Sequence, residues 1–225
     1  MLLYPVFINL VGAKVLVVGT GAVGLRKLTA LVNAGAGDIL VLDIAPPVPE
    51  LTSFIVLPNV SFMQRGVEVA DIEGRILVFA ATGDAVENAR IAALCATRGV
   101  LCNVVTDPEL GTFHVPAIAR KGGITAAFST GGQSPALARC VREEAETWLD
   151  ERFGVLAVFM GRLRPLILGL GNDSADNSIL FRKLISSSLA TALCVRDRTI
   201  VREIVRTHLP VTLHSHIEDL LDGLC

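Results

Sequence analysis

Three glycines, Gly19, Gly21 and Gly24, stand at the spacing G-x-G-x-x-G, directly after the apolar run Val15 to Val18 and directly before a run of helix formers, Leu25 to Val32. Glycine at these positions serves three physical needs. The first allows a tight turn, the second lets backbone approach an anionic group, and the third lets a helix pack close to a strand. The free N–H groups at such a helix start, with Ala22 and Val23 between the glycines, favour a pyrophosphate. A second apolar run, Ile39 to Leu42, ends in Asp43, 19 residues after Gly24. A carboxylate there accepts hydrogen bonds from ribose hydroxyls and repels a 2′-phosphate. No arginine follows it, only Ile44, Ala45, Pro46 and Pro47. The pattern is that of a dinucleotide site with NAD favoured over NADP.

The surrounding chain must position that site. After a proline-rich break at 46–49 the pattern gives expected strands at 54–57 and 60–63 and a buried strand at 75–81. A helix from Asp84 to Arg98 and a strand at 100–105 follow. Leu2 to Leu10 is also strand-like. Strands alternating with helices imply a parallel sheet covered on both faces. Ligands bind beyond the carboxyl ends of such strands, so 19–24, 43–45, 81–84 and 103–108 should converge.

The pattern changes after Thr112. Segments 113–119 and 124–128 read as two strands joined by a basic turn, Arg120-Lys121-Gly122-Gly123, with His114 in the first of them. A small-residue loop, Ser129-Thr130-Gly131-Gly132-Gln133-Ser134, leads through Pro135 into a helix to Leu149. From Asp150 the sequence reads as helices with a break at 169–177. The fold class is α/β: a Rossmann-type parallel sheet at 1–112, a small α+β dimerisation and substrate-binding segment at 113–149, and a helical domain at 150–225. The hairpin segment is too small to bury Phe113, Val115, Ile118, Ile124, Phe128 and Leu137, so a homodimer is expected.

Composition sets limits. Of 225 residues, 52% are hydrophobic and 19% charged, enough for a sizeable core. A net charge of −2 gives no reason to expect nucleic acid or an anionic membrane as partner. Val155 to Leu170 is interrupted by Arg162, Arg164 and Pro165, so no membrane span is expected; nor is a signal peptide, and the expected location is cytoplasmic. The five cysteines contain no C-x-x-C and read as small buried hydrophobes plus one at the terminus. His214 and His216 share an H-x-H spacing read as accidental. No metal site is expected.

Several stretches together resemble the precorrin-2 dehydrogenase family, also found as the N-terminal module of bifunctional siroheme synthases. They are YPVF at 4–7, VGTGAVGLRKL at 18–28, FAATGD at 79–84, NVVTDPELGTFHVPA at 103–117 and STGGQSPALAR at 129–139. The resemblance implies NAD-dependent dehydrogenation of precorrin-2 to sirohydrochlorin, with insertion of ferrous iron in some members. It implies that Gly19, Gly21, Ala22, Val23 and Gly24 cradle the pyrophosphate, that Asp43 and Ile44 lie along the adenosine, and that Ala81 and Thr82 line the nicotinamide side. Arg120, Lys121, Arg139 and the loop Ser129, Thr130, Gly131, Gly132 are then candidates for the carboxylates of the tetrapyrrole. The family commonly has an aspartate where Thr106 stands here. Asp107 is the neighbouring carboxylate, and Asp107, Thr106 and His114 are the catalytic candidates. Asp107 before Pro108 also suits a turn. Two other readings stand beside dehydrogenation: an NAD-sensing regulatory module, and a tetrapyrrole metallochelatase with weak dehydrogenase activity.

Overall fold

Strand β1 (Lys14–Val18) is a run of β-branched and leucine side chains, buried from Val15 onward. Near-continuous burial of this kind requires cover on both faces of a sheet. In the computed structural model, which describes residues 3–225, β1 is the centre of a five-stranded parallel sheet of order β3-β2-β1-β4-β5. The others are β2 (Asp38–Asp43), β3 (Val60–Gln64), β4 (Leu77–Ala80) and β5 (Leu101–Val104). Helices α1 (Ala22–Asn33), α2 (Pro49–Ile55) and α3 (Ala85–Ala96) make the crossovers. Contacts divide the chain into two units, Met1–Val115 and Pro116–Cys225.

The strands sort their side chains by the period of two. Val15, Val17, Ile39, Val41, Leu77 and Phe79 pack with Leu28 and Leu31 of α1 and Leu51 of α2. Leu16, Val18, Leu40, Leu42, Val78 and Ala80 pack on the other side with Ile91, Ala92 and Cys95 of α3. The strand order reverses between β1 and β4, where Val18 lies beside Ala80 and also beside Leu42 of β2. A crevice opens at such a switch point, at the carboxyl edge.

Several sequence expectations are corrected. Residues 54–57 are not a strand: 49–55 form α2, because β2 and β3 run parallel and need a crossover, which a hairpin cannot supply. No strand occupies 3–10; Val11 makes one antiparallel bridge to Ala36, and Leu2 lies outside the described residues. Phe113 does not await a partner chain. Its ring meets Phe79 edge-on at 5.3 Å.

In the second unit, β6 (Ala117–Lys121) and β7 (Ile124–Phe128) form an antiparallel hairpin. Residues 113–116 are irregular, which takes His114 off the strand, and Arg120 and Lys121 sit on β6 with Gly122-Gly123 alone making the turn. Gly122 has φ +53°, and a side chain there would press on the backbone of Gly154 at 2.8 Å. Helix α4 (Pro135–Trp148) packs on the hairpin. It is followed by α5 (Glu151–Leu168), α6 (Ser174–Ile185), α7 (Leu189–Cys194), α8 (Arg198–His208) and α9 (Ile217–Leu221). The helix break is therefore 169–173, shorter than the glycine and asparagine content of 169–177 suggested, because Asp173 caps α6. Phe159, Leu163, Leu189, Leu193, Val201 and Val205 form its core. Glu218 binds Arg198 and Arg202, which pull its carboxyl down to about 2. His214 and His216 lie on a 3-10 turn at 211–216, not on a strand edge.

Among the described residues no helix is long and apolar enough to cross a membrane. Cys95 and Cys102 are buried, while Cys140 and Cys194 are exposed, since both fall on solvent faces of amphipathic helices. Contact with Cys102, aided by burial, pushes the Cys95 thiol up.

Candidate functional site

Gly19 leaves β1 with φ +101°, a conformation closed to side chains, and a Cβ there would collide with the Ala81 carbonyl. A Cβ on Gly24 would collide with the carbonyl of Gly19, so helix and strand are in backbone contact. Gly21 differs. A Cβ there meets nothing within 4 Å, so this glycine faces open space that a ligand can fill.

Helix α1 starts at that opening with no side-chain cap and no acid in its first turn, and its first intrahelical bond is Leu25 N–H to Gly21 O. The other helices of eight or more residues in the described chain are capped, by Asp84, Ser134, Asp150, Asp173 and Asp197. The N–H groups of Ala22, Val23 and Gly24 are thus left for an anion, and the helix dipole adds to the attraction. An anionic phosphate group fits this start, whereas a capping carboxylate would repel it.

Around the opening lies a cleft of about 510 Å³, lined by Gly19, Gly21, Asp43, Ile44, Ala81 and Thr82 from the expected set, and by Arg65, Gly66, Val67, Gly83, Asp84 and Glu87 besides. The volume suits a small-molecule cofactor. Asp43 also braces the glycine turn. Its Oδ2 accepts from the Thr20 N–H at 2.6 Å and the Thr20 hydroxyl at 2.7 Å, and its Oδ1 accepts from the Ala45 N–H at 2.9 Å. Partial burial raises its pKa, but these hydrogen bonds outweigh it and hold the carboxyl below its usual range. Arg65, also in the lining, pairs with Asp71, both contacts at 2.7 Å. The hydrogen bond from Arg65, which outweighs the cost of burial, keeps Asp71 ionised below the usual carboxylate range.

Segment 103–108 is not part of the cleft lining. It is tied to it by Asn88, a fully buried residue on α3. Asn88 Oδ1 accepts from the Thr82 N–H at 3.1 Å and the Thr82 hydroxyl at 2.7 Å; its Nδ2 donates to the Thr82 carbonyl at 3.0 Å and to Thr106 Oγ1 at 3.2 Å. Because Nδ2 is a donor, the Thr106 hydroxyl accepts there and its own proton points elsewhere. Asp107 caps the 3-10 turn Pro108–Leu110 by accepting from the Glu109 N–H at 3.0 Å. Thr106 and Asp107 are exposed, and His114 is partly buried with its Nε2 unpartnered among the described residues.

The candidates for carboxylate recognition belong to the second unit. Lys121 is paired with Glu151 at 2.8 Å and Arg139 with Glu143 at 2.9 Å. Thr130 accepts from the Ser134 N–H and donates to the Ser134 carbonyl, both at 3.0 Å, which closes the 129–134 loop. The Ser129 hydroxyl accepts from the Gly131 N–H at 3.2 Å, and Gly131 and Gly132 both take positive φ.

Sequence reasoning missed Thr20, Arg65, Asp71 and Asn88. Asn88 had a signal: with Ile91, Ala92 and Cys95 it falls on the core-facing stripe of α3, where an amide is out of place unless fully bonded. Arg65 and Asp71 had none, since a strand-end loop assembles them.

Residues 6–117 match a family model described as "Putative NAD(P)-binding". The chain is 35% identical over 187 residues to a siroheme synthase of Pseudomonas fluorescens strain SBW25, 83% of this chain and 40% of that one. It is 33% identical over 207 residues to a siroheme synthase of Azotobacter vinelandii, 91% of this chain and 44% of that one. It spans less than half the length of these relatives. A solved structure titled "SirC, precorrin-2 dehydrogenase" has the same fold, with a TM-score of 0.73 and 24% identity over 91% of this chain and all of that one. The chain is thus similar over most of its length to one part of the siroheme synthases, and its Rossmann unit matches an NAD(P)-binding family model.

Proposed function

We propose that this chain catalyses NAD-dependent dehydrogenation of precorrin-2 to sirohydrochlorin in siroheme biosynthesis. The observation that carries the reading is the uncapped start of α1 opening on a cleft that Asp43 also lines, in a chain similar to siroheme synthases. NAD, when bound, would supply the hydride acceptor, and the chain's own residues would supply orientation and a path for the proton.

The chain's own residues divide that work. The N–H groups of 22–24 hold phosphate, Asp43 accepts from ribose hydroxyls, and its charge disfavours a 2′-phosphate, so NAD is the cofactor. Ala81 and Thr82 support the nicotinamide end, with Thr82 fixed by Asn88. Asp107 receives the departing proton on its free carboxylate oxygen, while Thr106, held by Asn88, donates a hydrogen bond. His114 is a second group able to move a proton. Arg120, Lys121, Arg139 and the 129–132 loop receive the substrate's carboxylates, Lys121 and Arg139 by exchanging Glu151 and Glu143 for them. Ferrous iron, where inserted, is a further substrate.

The working protein is a cytoplasmic homodimer. Exposed apolar groups support this: Tyr4 and Phe7 in the first unit, Leu137, Val141 and Trp148 along α4 in the second. We assign the work by function at 112/113 and 149/150, cofactor then dimer and substrate then helical support, beside the division into compact units at 115/116. Precorrin-2 generated in situ and mixed with the protein and NAD should give the sirohydrochlorin spectrum with stoichiometric NADH. Tight NAD binding with no spectral change would favour the sensing module.

A further inference from the structure

The adenosine end of the cleft holds a cation that no motif announced. Arg65 follows β3 immediately, and β3 is paired with β2 so that Gln64 lies beside Asp43. Arg65, Asp43 and Ile44 line the same cavity. An arginine in that place is the usual partner of a 2′-phosphate, by a bidentate fork. Here the fork is occupied. Nη1 donates to Asp71 Oδ2 at 2.7 Å and to the Gly66 carbonyl at 3.0 Å, and Nη2 donates to Asp71 Oδ1 at 2.7 Å and to Met63 Sδ at 3.5 Å. That uses four of the five N–H bonds a guanidinium has, leaving only Nε–H.

Asp71 is built for the task. It is 8% exposed, ends the 3-10 turn Val69–Asp71, and accepts from the Glu68 N–H at 2.8 Å on the oxygen that also meets Arg65. Arg75 donates from Nε to the Asp71 carbonyl at 2.6 Å and from Nη1 to the Val15 carbonyl at 2.7 Å, which ties the turn to β1. The carboxylate is therefore fixed, and the mobile partner is held by it.

We propose that Asp71 is a specificity-determining residue: by occupying the Arg65 fork it withholds from the adenosine end the cation that, among the described residues, lines the cleft and could bind a 2′-phosphate. Discrimination against NADP then has two parts, the negative charge of Asp43 and the sequestration of Arg65. The inference rests on the dinucleotide reading of the cleft and extends it to a position 28 residues from Asp43 in the sequence.

The test uses the full chain and titration calorimetry with NAD⁺ and NADP⁺. Asp71→Asn keeps an acceptor for the Glu68 N–H and turns an amide N–H₂ toward the guanidinium, which releases it. NADP⁺ affinity should rise about tenfold while NAD⁺ affinity stays within about threefold, the gain expected from one charge-assisted hydrogen bond. Adding Arg65→Gln should return NADP⁺ affinity to the native level. Unchanged NADP⁺ affinity in a folded, NAD⁺-binding Asp71→Asn protein overturns the proposal. Should that variant fail to fold, Arg65→Gln alone decides: it should leave native NADP⁺ affinity unaltered, and a loss beyond about threefold means Arg65 already serves the phosphate. Equal native affinity for both nucleotides refutes the reading of Asp43 and leaves the Asp71→Asn shift as the separate measure of Asp71.

Discussion

Removal of the Asn88 amide should cost both stability and cofactor affinity, by amounts that follow from its four hydrogen bonds. In Asn88→Ala those bonds vanish in a site with no solvent access, and the Thr82 N–H and carbonyl lose their partners. At about 0.5–1.5 kcal/mol net per bond the loss is roughly 3 kcal/mol, or a fall in Tm of about 10 °C for a unit of this size. Asn88→Asp gives the sharper test. One oxygen still accepts from Thr82, but the other now faces the Thr82 carbonyl and can no longer donate to it. The introduced carboxyl is then stabilised in its protonated form, with its folded pKa above its unfolded value of about 4. The native state binds the proton that the unfolded state has released, so stability falls as pH rises through the folded pKa. Thermal melts from pH 5 to pH 8 should show Asn88→Asp losing ground to the native chain as pH increases, with KM for NAD rising in step. A Tm difference that does not change with pH, or an Asn88→Ala cost below about 0.5 kcal/mol, would refute the assignment of Asn88 as the clamp between the cleft loop and Thr106.

Asp107→Asn should lower the dehydrogenation rate by about 10²–10⁴-fold with NAD affinity intact, and an effect under threefold reduces Asp107 to its turn-capping role. Thr106→Asp should raise the rate, because Asn88 Nδ2 already points at that position and would fix a carboxylate there; no gain in single-turnover rate refutes this. Asp43 and Asp71 both have folded pKa values below the unfolded value, so their stabilisation is complete above about pH 4 and is lost as pH falls through the folded values. An acid unfolding curve should therefore shift to lower pH in Asp71→Asn, once normalised to its neutral-pH stability. Sedimentation at micromolar concentration should give a dimer, and Leu137→Glu with Val141→Glu should give a monomer that still melts cooperatively; a native monomer ends the dimer reading.

What the sequence disclosed about this fold is what local pattern can carry. The buried run at 15–18 and the glycine spacing located β1 and the start of α1, and Asp84 and Pro135 marked the starts of their helices. The errors came where tertiary context decides. Residues 54–57 are apolar enough for a strand, and only the parallel pairing of β2 with β3 makes helix the solution. Phe113 looked unprotected because its partner Phe79 is 34 residues away in the sequence. The candidate cofactor residues carried a spacing rule, which is what let the sequence name them. Asn88, Arg65 and Asp71 act through side-chain geometry assembled from three elements, which no spacing rule encodes.

The bond pair from Thr20 to Asp43 couples two jobs that a dinucleotide site could perform separately. Thr20 belongs to the glycine turn proposed to carry the phosphates, and Asp43, to which it donates twice, to the edge proposed to meet the ribose. Because one carboxylate serves both, the turn and the edge are preorganised as one rigid body by folding itself, and little ordering remains to oppose binding. Fragments should reveal this as unusual additivity. Adenosine and pyrophosphate would each find a finished subsite, and neither would improve the other's affinity by organising it.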